Sequence, residues 1–304
     1  MPDGGQFAVA VPVTNLWQSP DAVREIDASM VSDRPDPAEW TACLGITERR
    51  QLQNRVLTQL LLGEPVEVVE DAGEWVRIVA PWQPSERHPG GYPGWVRRSH
   101  LNTAPPPAAR EAVVTAAMAA LTDDTGAPIC IVSYATILPV SGEHPGTNVP
   151  VTLPGGRHGW LDRSACAVRD VPEARDPALV DGANAVTEAE RFGGLAYLWA
   201  GMSAYGLDCS GLVHITYRRL GAVVPRDAHD QADACRAVPR DRIRPGDLLF
   251  FARPGKGIYH VGFALNDPEH ILHAPQTGMT IVAEPLKADR RTTMLSTAGR
   301  FLLR

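Results

Sequence analysis

The chain has 304 residues, of which 44% are hydrophobic and 21% are charged, and this ordinary globular composition excludes a disordered or fibrous protein. Asp and Glu number 35 against 29 Lys and Arg, so the formal charge is −6. Because the basic character of a phosphate-backbone binder is missing, we expect no nucleic-acid partner.

The usual export and membrane signals are also missing from the sequence. The stretch up to Trp17 has no Lys or Arg, Pro12 breaks its apolar run, and no segment approaches the roughly 18 apolar residues of a membrane span. We therefore expect a cytoplasmic protein with no membrane partner. The five cysteines form no C-x-x-C pair, which predicts neither a disulfide framework nor a thiolate zinc site.

Two proline-rich stretches divide the chain, at residues 102–109 and 169–177. Such apolar-poor stretches are typical of linkers between domains. They predict three domains, which span residues 1–103, 110–168 and 176–304.

The first two domains end in the same pattern, G-W-apolar-x-R-S, at residues 94–99 and 159–164. Before the first copy, residues 65–79 alternate around an Asp-Ala-Gly turn and predict a hairpin. The second domain has strand-like runs at 129–135 and 149–153. Short strands that close in a repeated motif resemble bacterial SH3-like modules, which implies two small all-β barrels.

An insertion at about residues 19–59 interrupts the first SH3-like module. Thr47 is predicted to cap a short helix that carries Leu52 and Val56. No role for this insertion follows from its residues.

The third domain is predicted to contain helices followed by strands. Asp176 and Pro177 are typical of a helix start, and apolar residues continue at helical spacing to Gly193. A second helix is predicted from Asp208 to Gly221. Strands are predicted at residues 248–251, 259–265, 271–274, 279–283 and 300–303. This order of elements predicts an α+β domain.

Cys209 lies at the predicted start of the second helix, directly after Asp208. A thiol in the first turn faces the positive end of the helix dipole, which favours the thiolate. A thiol nucleophile needs a base, and the base needs a polar group that orients it. His260 and His273 lie on neighbouring predicted strands and are the candidates. The alternative is that both are hydrogen-bonded core histidines.

The string YLWAGMSAYGLDCSGLV, followed in order by PRD, PGDLLFF, YHVGFAL and ILHA, is similar to the NlpC family of bacterial cell-wall cysteine peptidases. This resemblance covers nearly all of residues 176–304 and implies a papain-like fold. It also implies that Cys209 is the nucleophile, that His260 is the general base and acid, and that His273 orients His260. The sequence departs from the family at Ala200, where a second glycine is common.

The resemblance implies further residues around the nucleophile. Tyr197 is expected near the oxyanion, and Trp199, Asp208 and Ser210 are expected to line the substrate cleft. The backbone N–H of Cys209, at a helix start, is suited to stabilise the oxyanion. The alternatives are that Trp199 belongs to the core and that Asp208 only caps the helix, although Asp208 can hold both roles.

Family members with two N-terminal SH3-like modules are γ-D-glutamyl-L-diamino acid endopeptidases that act on murein peptides with a free N-terminal L-alanine. The resemblance implies such a tripeptide or tetrapeptide substrate, a role in peptidoglycan recycling, and no cofactor or metal. The substrate ammonium needs anionic or lone-pair partners, and Asp208 is one candidate. The resemblance implies a second partner in the first SH3-like module, where Glu64 and Tyr92 match the family's positions best, and His229 is a further cleft candidate. Alternatively, Glu64 is a solvated edge-strand charge and Tyr92 a turn aromatic.

Two other functions stay open at this point. In the first, the SH3-like modules bind wall polymer or a protein and the third domain is catalytically silent. In the second, the protein is a zinc hydrolase in which His260, His270 and His273 bind the metal. The missing H-E-x-x-H and C-x-x-C spacings disfavour the zinc site. The residues indicate neither the preferred diamino acid nor the oligomeric state.

Overall fold

The structure is a computed structural model that describes residues 6–142, 146–173, 175–267, 269–286 and 294–301. These residues form two compact units. The first unit contains the described parts of 6–82 and 90–173 together with 203–205, and the second contains those of 83–89, 175–202 and 206–301. Within the described ranges, no helix combines the length and the apolar character needed to span a bilayer.

The first module of the first unit is an antiparallel sheet. Its strands are β1 (Phe7–Val9), β2 (Val13–Trp17), β3 (Val56–Leu61), β4 (Pro65–Ala72), β5 (Trp75–Ala80), β6 (Tyr92–Arg97) and β7 (Leu101–Thr103). They are ordered β3-β2-β6-β5-β4-β1-β7. The predicted hairpin is confirmed, because β4 and β5 pair with Ala72 opposite Trp75.

The segment between β2 and β3 contains three short helices, which are α1 (Ala28–Val31), α2 (Pro37–Cys43) and α3 (Ile46–Arg50). Helix α3 differs from the predicted helix, because Gly45 rather than Thr47 precedes its first turn and the helix ends before Leu52. Val56 begins strand β3, which pairs with β2 along its length. Sheet pairing therefore overrides the helical spacing at Val56, inside the range predicted as an insertion.

The second module consists of two small antiparallel sheets. Its strands are β8 (Arg110–Val114), β9 (Met118–Thr122), β10 (Pro128–Ser133), β11 (Ile137–Pro139), β12 (Asn148–Thr152), β13 (His158–Asp162) and β14 (Cys166–Asp170). One sheet has the order β10-β9-β13-β12 and the other β11-β8-β14. Both sheets contribute to one apolar core that includes Val114, Leu121 and Leu161. The burial of this shared core explains why the alternating runs predicted here form strands.

The remaining chain combines helices and strands, which confirms the predicted α+β class. Its elements are α4 (Gly182–Glu190), β15 (Met202–Ser203), β16 (Gly206–Leu207), α5 (Cys209–Arg219), α6 (Ala228–Ala234), β17 (Arg236–Val238), β18 (Leu248–Ala252), β19 (Ile258–Ala264), β20 (His270–His273), β21 (Val282–Pro285) and β22 (Leu295–Arg300). An antiparallel sheet of order β17-β22-β18-β19-β20-β21 forms the base of the second unit. Helix α5 packs on β19, and its Tyr217 ring stacks on Phe263 of that strand.

Some predicted bounds differ from the structure. Asp176 caps only the 3₁₀ turn Pro177–Leu179, and α4 begins at Gly182, so Leu179 is exposed rather than buried on a helix face. Val180 is extended and separates the turn from the helix. The strand predicted at 279–283 overlaps β21 only at residues 282–283, and the strand predicted at 300–303 overlaps β22 only at Arg300. Residues 302 and 303 of the second prediction lie outside the described residues.

Candidate active site

The first turn of α5 places Cys209 directly after its N-cap. The Asp208 carboxylate accepts a 2.6 Å hydrogen bond from the Gly211 backbone N–H, which stabilises the start of the helix. Gly211 is required here, because a Cβ at this position would overlap the carbonyl oxygen of Gly201. The helix start predicted from the sequence is therefore confirmed, and the cause is local capping combined with close backbone packing.

The Cys209 side chain is buried, and burial raises the pKa of its thiol to about 12. The neighbouring Asp208 carboxylate contributes to this rise, whereas the Val261 N–H, the Arg226 guanidinium and the Ser210 N–H oppose it. Burial therefore opposes the thiolate that the helix start was expected to favour. Desolvation is the largest effect on this pKa and exceeds the effects that lower it, so the thiol needs a base to remove its proton.

Two histidines lie side by side on the sheet beneath α5. His260 is on β19, and the next residue, Val261, directs its N–H to the Cys209 sulfur. His260 Nε2 lies 2.7 Å from His273 Nδ1 on the neighbouring strand β20. His260 is 4% exposed and His273 is 0% exposed. The structure therefore brings together the start of α5, which carries the Cys209 thiol, and the two histidines that the sequence predicted as catalytic.

Gly262 makes room for this histidine pair. It faces β20, and a Cβ on it would lie 2.8 Å from the Cβ of His273 and 2.7 Å from Cδ1 of Ile271. Contacts this short are outside the normal range, so a larger residue would displace β20. Gly262 therefore gives space against the neighbouring strand β20.

His273 has a second polar neighbour that the sequence analysis missed. Its Nε2 lies 3.1 Å from Oε1 of Glu284 on β21, and 29% of the Glu284 side chain is exposed. The predicted strand at 279–283 stops one residue before Glu284. The pairing of β20 with β21 is the information that was missing.

Asp208 and Ser210 share a buried arginine. Arg226 Nη2 donates to Asp208 Oδ2 at 2.7 Å, and Arg226 Nη1 donates to Asp208 Oδ1 at 3.0 Å and to Ser210 Oγ at 2.9 Å. Gln231 Nε2 donates to the Ser210 carbonyl oxygen at 3.1 Å. Arg226 belongs to the PRD motif noted above, but no role had been assigned to it. The network holds the two residues that flank Cys209 in one position.

Tyr197 and Trp199 precede the helix. Tyr197 is buried, and this burial, together with Cys209 and Asp208, holds the pKa of its phenol well above the usual range. The phenol is therefore a hydrogen-bond donor throughout the physiological pH range. Trp199 is half-buried. The next residue, Ala200, has a φ of 63°, which is the left-handed region that favours glycine and explains the glycine common in the family.

His229 lies on α6 between two carboxylates. Its Nε2 is 3.0 Å from Glu86 Oε1 and 3.2 Å from Asp230 Oδ1. Among the residues that the structure describes, this is the one group with metal-ligand spacing. His270 contacts Asp267 through Nδ1 at 2.9 Å and is not part of this group.

Glu64 and Tyr92 belong to the first unit. Glu64 is 0% exposed, and its Oε2 accepts a hydrogen bond from the Leu61 N–H at 3.2 Å. Its backbone also takes part in the turn between β3 and β4, because the Val9 N–H donates to the Glu64 carbonyl oxygen. Tyr92 begins β6 and is buried in the core of the first sheet. Glu64 is therefore not a solvated edge charge, and Tyr92 is not a turn residue.

Comparison with known families places three matches along the chain. Residues 194–299 match the NlpC/P60 family, residues 114–168 match the YKFC SH3b2 domain, and residues 49–102 match the bacterial SH3 domain. The match to the first of these contains Cys209, His260, His273 and Glu284.

Relatives and a solved structure extend this similarity over most of the chain. The gamma-D-glutamyl-L-lysine dipeptidyl-peptidase of Bacillus subtilis is 35% identical over 274 residues, which cover 88% of this chain and 90% of the relative. The protein with the same name from Bacillus cereus is 32% identical over 305 residues, which cover 97% and 90%. The crystal structure of an NlpC/P60 family protein from Bacillus cereus has a TM-score of 0.89 at 29% identity and covers 98% of this chain and 100% of that one.

Proposed function

The chain belongs to the NlpC/P60 family of cysteine peptidases, and we propose that it hydrolyses the bond between γ-D-glutamate and an L-diamino acid in murein peptides with a free N-terminal L-alanine. The observation that carries this proposal is the 2.7 Å contact between His260 and His273, on the strands beneath the Cys209 thiol. Two relatives named gamma-D-glutamyl-L-lysine dipeptidyl-peptidase, each with 90% of its length covered, support the choice of bond.

The proposed reaction begins with proton transfer from the Cys209 sulfur to His260. The sulfur then attacks the γ-carbonyl carbon of the D-glutamyl residue, and the carbonyl oxygen becomes an oxyanion. As the C–N bond breaks, His260 returns its proton to the departing amine of the diamino acid. His260 next takes a proton from water, whose oxygen attacks the thioester carbon. As the C–S bond breaks, the L-Ala-γ-D-Glu dipeptide leaves and His260 returns this proton to the Cys209 sulfur.

Two donors are available for the oxyanion. The Cys209 backbone N–H lies in the first turn of α5, where N–H groups have no intrahelical acceptor. The Tyr197 phenol stays protonated because its pKa is raised by burial. We assign the oxyanion to these two groups, because donors fixed before the reaction stabilise developing charge most effectively.

Asp208 contributes to the recognition of the substrate ammonium in this proposal, and Ser210 and Trp199 are expected to line the substrate cleft. Both carboxylate oxygens of Asp208 already accept hydrogen bonds from Arg226, so the ammonium would be an additional partner of Oδ1 or Oδ2. The roles of Glu64, Tyr92 and His229 stay predictions, because they come from the family resemblance and the amine's chemistry.

The role in peptidoglycan recycling follows from the same substrate. Murein peptides that have been released from the wall polymer would carry the free L-alanine that this proposal requires, and their processing would take place in the cytoplasm. Accumulation of L-Ala-γ-D-Glu-diamino-acid peptides in the cytoplasmic fraction of a strain that lacks this protein tests both the role and the location, and unchanged peptide levels would contradict them.

The first experiment measures the diamino acid released from L-Ala-γ-D-Glu-L-Lys and from the meso-diaminopimelate tripeptide by the purified full chain. The same peptides with an acetylated N-terminus test the requirement for the ammonium. The variant Cys209→Ala is expected to be inactive, whereas Cys235→Ala, which changes another cysteine of the same unit, is expected to keep activity. Equal cleavage of free and acetylated peptides would remove the amine requirement, and absence of cleavage would favour a binding protein.

A further inference from the structure

Glu284 extends the histidine pair by one residue. Strands β20 and β21 are antiparallel, with His273 opposite Val282 and Ile271 opposite Glu284. In this register Glu284 lies opposite a residue two positions before His273, and its carboxylate extends towards His273, with Oε1 3.1 Å from His273 Nε2. His273 is fully buried, whereas the Glu284 side chain is partly exposed. The carboxylate therefore lies at the outer end of a chain that runs from the sheet surface towards the thiol.

The direction of the hydrogen bonds follows from the carboxylate. An ionised carboxylate can only accept, so His273 Nε2 carries the hydrogen that it donates to Glu284. A neutral imidazole then has its lone pair on Nδ1, which accepts from His260 Nε2–H at 2.7 Å. Consequently the lone pair of the neutral His260 ring is on Nδ1, the nitrogen that is then able to accept the thiol proton.

The opposite arrangement would disable the base. If Nε2 of His273 lost its acceptor, His273 could carry its hydrogen on Nδ1 and donate it to Nε2 of His260. His260 would then carry its own hydrogen on Nδ1 and could not take the proton of Cys209. The two directions of the chain differ only in the positions of two hydrogens, so a fixed acceptor at one end decides between them.

We propose that Glu284 is a positioning residue that holds His273 and His260 in the tautomers required for base catalysis. This inference rests on the proposed function only for the identity of the reaction, because the hydrogen-bond chain is independent of the substrate. Glu284 also supplies a negative charge that stabilises the protonated pair after proton transfer. Titratable groups in contact with the pair include the Tyr259 ring beside His260 and Glu284 itself beside His273.

The test compares Glu284→Ala and Glu284→Gln in the full chain. Iodoacetamide modification of Cys209 is followed against pH by mass spectrometry of the peptide that contains this cysteine, and kcat/KM for the tripeptide is measured in parallel. Glu190→Gln is the matched control, because Glu190 is an exposed glutamate at the end of α4. Glu190→Gln is expected to give the same modification rates and the same kcat/KM as the chain without substitutions.

For Glu284→Ala we expect the plateau rate of modification and kcat/KM to fall about tenfold or more, within the range that acid–base catalysis contributes. The acidic limb of both profiles should move to lower pH, because loss of the carboxylate disfavours the protonated histidine pair. Glu284→Gln keeps an acceptor oxygen and loses the charge. Its plateau modification rate and kcat/KM should therefore fall less than those of Glu284→Ala, while the acidic limb of both profiles moves in the same direction.

Unchanged modification of Cys209 in Glu284→Ala would overturn the proposal. So would a lower rate with an unmoved acidic limb, together with a loss of folded protein measured by circular dichroism, because that result indicates a structural role. The modification reaction needs no peptide. If the chain without substitutions does not cleave the tripeptide, the proposed function fails. The role of Glu284 is then still decided by the pH dependence of Cys209 modification.

Discussion

The guanidinium of Arg226 holds the carboxylate of Asp208 at two points, with N–O distances of 2.7 and 3.0 Å. The arginine side chain is 1% exposed and the aspartate side chain 10% exposed, so the pair is largely removed from water. Because Asp208 is also the N-cap of α5, the ion pair fixes the residue immediately before the Cys209 thiol. The charge that was expected to bind the substrate amine is thus already balanced by an internal partner.

Arg226→Met tests this pair through protein stability. It removes the guanidinium and leaves a buried carboxylate without its partner, which we expect to lower the free energy of unfolding by about 3–5 kcal/mol. The measurement is urea unfolding of the full chain. Adding Asp208→Asn to this variant removes the unpaired charge and should recover part of the loss. Equal stability of Arg226→Met and the unmodified chain would contradict a structural role for the pair.

Gly262→Ala tests the space beneath the histidines. The added methyl group would meet His273 and Ile271 at distances below 3 Å, so β20 must shift and the histidine pair with it. We expect kcat/KM for the tripeptide to fall about tenfold to a hundredfold, because a displacement of about 1 Å in a catalytic group has effects of this size.

Gly257→Ala is the matched control for this change, since a Cβ at Gly257 has no neighbour within 4 Å. It is expected to leave kcat/KM unchanged. If Gly262→Ala keeps full activity, the close packing of β19 and β20 is not what positions His273.

Local signals explain why part of this site could be predicted from the sequence. Asp208 caps a helix whose start depends on neighbouring residues of the chain, and the strand predicted at residues 259–265 contains His260. Glu284 could not be predicted, because its position depends on the register of β20 with β21. Arg226 lies 18 residues from Asp208 in the chain, and no periodic pattern connects them.

The protonation state of Cys209 also depends on residues that are distant in the chain and therefore could not be predicted from local sequence. The helix dipole acts through the first turn and can be inferred from local sequence, but the extent of burial depends on strands that are about 50 residues away. Burial has the larger effect here and reverses the direction of the pKa shift.

Ala200→Val tests the left-handed backbone before the site. Ala200 has a φ of 63°, and a β-branched side chain is strongly disfavoured in that region. We expect a loss of about 1–3 kcal/mol in the free energy of unfolding, measured by urea unfolding. Ala200→Gly suits this conformation and should stay within about 1 kcal/mol of the unmodified chain, since the relief of backbone strain offsets the greater unfolded-state entropy. Equal tolerance of valine and glycine would show that this backbone can relax.

His100 predicts a pH dependence for the stability of the first unit. Burial lowers the pKa of His100 from 6.5 to about 4, and Arg97 adds to this effect. The ring is neutral in the folded unit, with Nε2 donating to the Ser32 carbonyl oxygen and Nδ1 accepting from Thr14 Oγ1, both at 2.7 Å. Between pH 6.5 and about 4 the unfolded chain binds a proton that the folded unit does not bind. The free energy of unfolding should therefore fall as the pH is lowered through this range, by up to about 3 kcal/mol from this residue.

The variant His100→Gln isolates this contribution, because glutamine offers a donor and an acceptor but does not titrate. Thermal unfolding followed by circular dichroism at several pH values should show a smaller loss of stability on acidification than in the unmodified chain. His158→Gln, which changes an exposed histidine of the same unit, should leave the pH dependence as it is. Since other groups titrate identically in all three proteins, parallel curves for His100→Gln and the unmodified chain would mean that His100 takes up its proton in the folded unit as readily as in the unfolded chain.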